Sequence, residues 1–152
     1  MDRITTFLWF NDQAEEAANF YVSVFKNSKI KQVSRYPEGG PAPAGKVMVV
    51  AFERDGREFQ ALNGGPHFKF TEAISLVVHC DTQEEIDYYW EKLISGGGQE
   101  SQCGWLKDKY GLSWQVVPRA IGKLMADPVK GKRVFAEVMK MKKLDLKRMV
   151  EA

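Results

Sequence analysis

The 152-residue sequence predicts an α+β chain of two tandem strand–helix–three-strand units followed by a helical extension. Two observations predict it. A shift of 69 positions lays Asp12-Gln13-Ala14-Glu15-Glu16 on Asp81-Thr82-Gln83-Glu84-Glu85. The same shift superposes two apolar stripes at helical spacing, with Ala17 on Ile86, Tyr21 on Trp90 and Val24 on Leu93. A duplicated supersecondary unit explains both, and two copies are too few for a solenoid.

Each copy opens on a strand rich in apolar, β-branched or aromatic residues, Ile4–Phe10 in the first and Ala73–His79 in the second. A helix follows, with Asp12 or Asp81 near its N-cap and a Glu pair in its first turn, where negative charge suits the helix dipole. Gly96-Gly97-Gly98 stops the second helix. Three strands complete the first copy: Ile30–Tyr36, Lys46–Arg54 and Arg57–Asn63. Asp55-Gly56 is the hairpin turn between the last two, and the Pro- and Gly-rich stretch 37–45 is a loop. The second copy is compressed. Gln99–Lys107 supplies two short strands or one bent one, 108–111 is a turn, and Leu112–Val117 is the closing strand. The paired modules therefore span 1–118, dividing at about 68/69, and 119–152 is a helical extension. Ile121, Leu124 and Met125 mark a short helix before Asp127-Pro128; Val134, Val138 and Met141 mark a longer one that docks on the domain or on a partner.

Composition excludes several classes. Met1-Asp2-Arg3-Ile4 lacks the layout of a signal peptide, and no apolar run approaches a membrane span. Two cysteines, Cys80 and Cys103, are expected as reduced thiols packed in a cytoplasmic protein. The net charge of +2 is too small for a general nucleic-acid binder, although residues 119–152 hold ten basic against four acidic side chains. Neither nucleic acid nor membrane is expected as a partner.

The stretches FNDQAEEAANFY from Phe10, FQALNGGPHF from Phe59, CGWLKDKYGLSWQVVP from Cys103 and DPVKGKRVFAEVMKMKK from Asp127 resemble the vicinal-oxygen-chelate (glyoxalase/bleomycin-resistance/dioxygenase) superfamily. They resemble most its PhnB-like branch, often labelled 3-demethylubiquinone-9 3-methyltransferase. The resemblance implies cupped, half-barrel-like mixed sheets. It also implies one divalent metal held by four side chains, usually His and Glu, from the first and last strands of each copy.

The repeat places Thr6 and Ser75 at the equivalent opening positions, with Thr5 as a one-residue alternative, and Gln60 and Gln115 at the closing ones. All four are neutral, whereas Zn, Ni or Fe sites want imidazole, thiolate or carboxylate. No cofactor is therefore expected, and no metal ligand or catalytic residue is assigned. His67 lies in a Gly-Pro turn and His79 ends a strand, neither with a partner at metal-ligand spacing; a Cys103–His79 catalytic pair has only coexistence in its favour. What Thr6, Gln60, Ser75 and Gln115 offer is hydrogen bonding, with Trp105 and Trp114 among the aromatics expected to line the same site. The expected function is small-molecule binding in a metal-free cup by a homodimer. The alternatives are a metal-dependent lyase, isomerase or dioxygenase and, with less support, the labelled methyltransferase. For the methyltransferase no Gly-rich strand–helix turn is present to hold S-adenosylmethionine.

Overall fold

A computed structural model describes residues 3–152. Met1 and Asp2, read above for a targeting segment, lie outside the described residues. The chain divides into two compact units, one ending at Lys69 and the other running Phe70–Ala152. Each holds its own four-stranded mixed sheet, neither closed into a barrel.

In the first unit the elements run β1 (Thr6–Phe10), α1 (Ala14–Val24), β2 (Ser28–Arg35), β3 (Val47–Arg54) and β4 (Arg57–Asn63), with sheet order β1-β4-β3-β2. β1 runs parallel to β4 and the other pairs are antiparallel. The α1 stripe (Ala14, Ala17, Ala18, Tyr21 and Val24) is buried. The sheet contributes Leu8, Phe10, Val50, Phe52, Phe59 and Ala61 to the same core, and Phe52 stacks on Phe59 at 5.4 Å. Asp55 and Gly56 carry φ of 50° and 80° between the paired Arg54 and Arg57, so both turn residues are left-handed, as a type I′ hairpin requires. The α1 N-cap is Gln13, not Asp12, and its side chain makes no cap bond. Asn63 serves from the end of β4. Its Oδ1 accepts the Ala14 N–H at 2.8 Å while its Nδ2 donates to the Val47 carbonyl.

The second unit runs β5 (Ser75–Cys80), α2 (Gln83–Ile94), β6 (Gln99–Glu100), β7 (Trp105–Lys107) and β8 (Ser113–Pro118), with sheet order β5-β8-β7-β6. β5 is parallel to β8, matching β1 and β4. Thr82 caps α2 by accepting the Glu85 N–H, and Glu85 reaches back to accept the Asp81 N–H at 3.0 Å. This is a capping-box-like exchange whose return bond reaches the residue before the cap, so Asp81 lies next to the N-cap. Ile86, Trp90 and Leu93 from α2 share the core with Val78, Cys80, Leu106, Trp114 and Val116.

Beyond Pro118 come three short helices, α3 (Ile121–Ala126), α4 (Lys130–Val138) and α5 (Leu146–Glu151). They belong to the second unit and bury a cluster of Val134, Val138, Met141, Leu144 and Met149 with Val117 of β8. Two backbone bonds fasten this segment, from Cys103 N–H to the Met141 carbonyl and from Gly104 N–H to that of Lys142. Gln83 adds two more, donating to the Leu144 carbonyl and accepting the Leu146 N–H. The helix expected through Met141 ends at Val138, where i+3 bonds tighten the chain into a turn. The third helix was not foreseen. Asp145 starts it by accepting the Arg148 N–H. No described helix is long and apolar enough to cross a membrane.

Candidate functional site

Each sheet has one face under its helix and one turned away, and strand alternation decides which side chains reach the second. On β1, Leu8 and Phe10 are buried under α1, so Phe7, 53% exposed, and Trp9 point the other way. The parallel register sets Phe7 beside Gln60 and Thr6 beside the buried Phe59. Gln60 therefore lies on the open face, and Thr6 on the helix face. On β5, Val78 and Cys80 are buried and Val77 is exposed, which puts Ser75 on the open face. Gln115 stands beside Val77 there.

The two copies are thus offset by 70 residues in their opening strands and by 69 in their helices. Three residues join β1 to α1 but only two join β5 to α2. A one-residue slip moves a strand side chain to the opposite face. Thr5, not Thr6, occupies the place equivalent to Ser75.

In the first unit Gln60 Nε2 donates to Glu58 Oε2 at 2.9 Å, and Lys31 Nζ reaches Glu58 Oε1 at 3.2 Å and Glu53 at 3.7 Å. The hydrogen bond from Gln60, followed by that from Lys31, holds the Glu58 carboxyl below its usual range. The Trp9 indole donates to the Gly65 carbonyl at 2.9 Å and meets Phe68 and His67 edge-on. Gly64 makes this possible, because a Cβ there would fall 2.3 Å from the indole ring. His67 is thus a packing partner of Trp9.

In the second unit the structure brings Ser75 and Gln115 together, with Gln115 Nε2 donating to Ser75 Oγ at 2.9 Å. Trp105 is the register partner of Gln115 on the other side and shares its face. Lys107 and Ser113 lie two residues further along the same pair of strands, and Lys107 pairs with Glu72. Trp114 is not with them. It is 5% exposed on the helix face, and its indole donates to Asp108 Oδ2 at 2.9 Å. Strand alternation alone separates it from Trp105, since their register partners are Leu106 and Gln115 respectively. Asp108, absent from the sequence-based site, is a buried carboxylate that also accepts the Tyr110 and Leu112 N–H groups and so shapes the turn before β8. The Cys103 thiol lies 3.6 Å from Met139 Sδ, and the side chain of His79 is exposed on β5.

The open-face donors do not fit a tightly held transition metal. Thr5, Gln60, Ser75 and Gln115 supply neutral oxygens, and both amides are engaged with neighbouring side chains. Among the described residues no group of three His, Cys, Asp or Glu side chains stands close enough to hold an ion. The two strand–helix junctions, 11–13 and 81–82, contain no glycine, and each sheet has one parallel pair, unlike a doubly wound cofactor-binding sheet.

No curated protein matches the sequence. Residues 2–117 match the family described as 3-demethylubiquinone-9 3-methyltransferase. A Bacillus cereus PhnB protein carrying the same label is 43% identical, with TM-score 0.70, over 77% of this chain and 99% of that one. Protein PA1353 of Pseudomonas aeruginosa shares the fold at 19% identity and TM-score 0.64, over 78% and 98% of the two chains. The fosfomycin resistance protein FosX of Listeria monocytogenes shares it at 12% identity and TM-score 0.52, over 78% and 93%. The long family match, the near-complete coverage of a 43%-identical PhnB protein and the paired mixed sheets agree, and the chain belongs to the 3-demethylubiquinone-9 3-methyltransferase family, in the PhnB-like branch of the vicinal-oxygen-chelate superfamily.

Proposed function

We propose that the protein binds a small aromatic or amphiphilic molecule on its open sheet faces without a metal. The observation that carries this is the Ser75–Gln115 hydrogen bond beside Trp105, a neutral polar pair next to an aromatic on a face its own helix leaves uncovered. Such a pairing of apolar surface with a few polar groups is the usual form of a ligand site. The first unit offers the counterpart in Gln60, Thr5, Phe7 and Trp9. Thr5 enters this reading in place of Thr6, and Trp105 stays while Trp114 leaves it. The family's label names a methyltransferase. The glycine-free junctions and mixed sheets give S-adenosylmethionine no nucleotide-binding turn.

Titration of the protein with small aromatic compounds, read by tryptophan fluorescence, tests the reading. Saturable binding that Gln115→Ala weakens about tenfold supports it, as expected for loss of a polar anchor. Elemental analysis of protein purified without chelators tests the metal-free part; one equivalent of Zn, Ni, Mn or Fe overturns it. We further propose a homodimer, supported by the exposed Phe7, Val77, Phe135 and Met139, and a reducing compartment such as the cytoplasm, supported by two free thiols. Sedimentation at micromolar concentration should show the dimer.

A further inference from the structure

The open face of the second sheet carries a second feature beside the Ser75–Gln115 pair. Ser113 is 1% exposed, and its Oγ has no hydrogen-bond partner among the described residues. Buried hydroxyls are ordinarily satisfied, and an exception calls for an explanation. Ser113 stands in register with Ser75 on one side and Lys107 on the other, so hydroxyl, hydroxyl and ammonium form a row across three strands. Adjacent strands lie about 4.8 Å apart, which puts the three groups within reach of one small anion.

The charge on this face is one-sided. Its strand residues are Ser75, Val77 and His79 on β5, Gln99 on β6, Trp105 and Lys107 on β7, and Ser113 and Gln115 on β8, with Val117 at the end that the C-terminal helices cover. None is acidic. The carboxylate that meets Lys107 comes from Glu72, in the segment before β5, whose side chain is 62% exposed. A water-exposed carboxylate on a lysine is weakly held and easily exchanged. The first sheet differs: the positions equivalent to Ser113 and Lys107 are Glu58 and Glu53, two carboxylates that share Lys31 of β2.

We infer that Lys107 and Ser113 form an anion subsite, so that the ligand of this face is an organic acid with an aromatic or apolar body. The ligand's carboxylate, or a phosphonate of similar size, takes the place of Glu72 on Lys107 and accepts the Ser113 hydroxyl. Its apolar body lies against Trp105, two residues away on β7 and so roughly 6–7 Å along the strand. Ser75 and Gln115 stand beside it. The inference rests on the proposed small-molecule site and adds the ligand's charge.

Calorimetric titration with 3-phenylpropionate and its neutral amide, 3-phenylpropionamide, tests it. The acid should bind about tenfold tighter than the amide, because charge-assisted hydrogen bonds exceed neutral ones. Lys107→Met and Ser113→Ala should each cut that preference severalfold, and Glu72→Gln should strengthen acid binding by removing its competitor. Ser113→Ala should leave the thermal midpoint of the unliganded protein level or raised, since it deletes an unsatisfied hydroxyl; a lowered midpoint would assign Ser113 a structural role and overturn its part. Equal binding of acid and amide would overturn the anion subsite while leaving the small-molecule site standing. Binding of neither at millimolar concentration would overturn both.

Discussion

Single residues here act through what they allow a neighbour to do. Gly64 leaves room for the Trp9 indole, and an added Cβ would meet three ring atoms at 2.3–2.6 Å. Gly64→Ala should therefore expel the ring, break its bond to Gly65 and destabilise the protein by about 1–3 kcal/mol, the usual cost of overpacking, as read by urea denaturation. Cys80 shows burial acting on ionisation. Desolvation first, and then the charges of Glu85 and Asp81, push its thiol up to about 11 from 9.0. The unfolded thiol ionises near 9.0, so this group's contribution to stability is complete below that pH and disappears as pH rises through 11. Wild type should lose more stability between pH 8 and 10.5 than Cys80→Ala. Alkylation of the native protein at pH 8 should label the half-buried Cys103 and spare Cys80 until the chain unfolds.

At the level of elements, the two helices share a buried stripe but start by different means. α2 is capped locally by Thr82 and Glu85, whereas α1 borrows Asn63 from a strand 49 residues away. Thr82→Ala should cost about 1 kcal/mol, measured by chemical denaturation, since one helix N–H loses its acceptor. The strands show how far the sequence could be read. Their order along the chain and the hairpin turn follow from alternation and from Asp55-Gly56, whereas Gln99–Lys107 admits two short strands or one bent one and forms two, β6 and β7. The repeat also located Gln60, Ser75 and Gln115 on the open faces. It set Thr6 first and Thr5 only as the one-residue alternative, because sliding two copies at a fixed spacing assumes equal connections, and the second connection is shorter by one residue. In a helix that error rotates a side chain by about 100°; in a strand it carries it to the other side of the sheet.

Across the whole molecule, the family match ends at residue 117, while the second unit continues through three helices. These helices cover Val117 and approach Gly104 and Cys103, so they complete the second unit's core. Truncation after Pro118 should destabilise this unit by about 2 kcal/mol, the scale of re-exposing one buried aliphatic side chain together with part of a second. Three of the four tryptophans, Trp90, Trp105 and Trp114, lie in this unit and Trp9 in the first, so fluorescence should report the second unit's transition at lower urea in the truncated protein. Unchanged denaturation would mean that the helical segment packs without supporting the sheet.

By itself the sequence determined the duplication, the strand–helix–strand order, the amphipathic stripes and the neutral character of the open-face donors. These are local or periodic properties, set by side-chain chemistry and by spacings of two and of three to four residues. Only the tertiary structure decided which tryptophan faces away from its helix, that Asp108 is buried beneath Trp114, that Ser113 lies between Ser75 and Lys107, and where the last helix begins. Those outcomes depend on cross-strand register and on contacts between residues far apart in the chain, which one sequence encodes only through the packing that selects them.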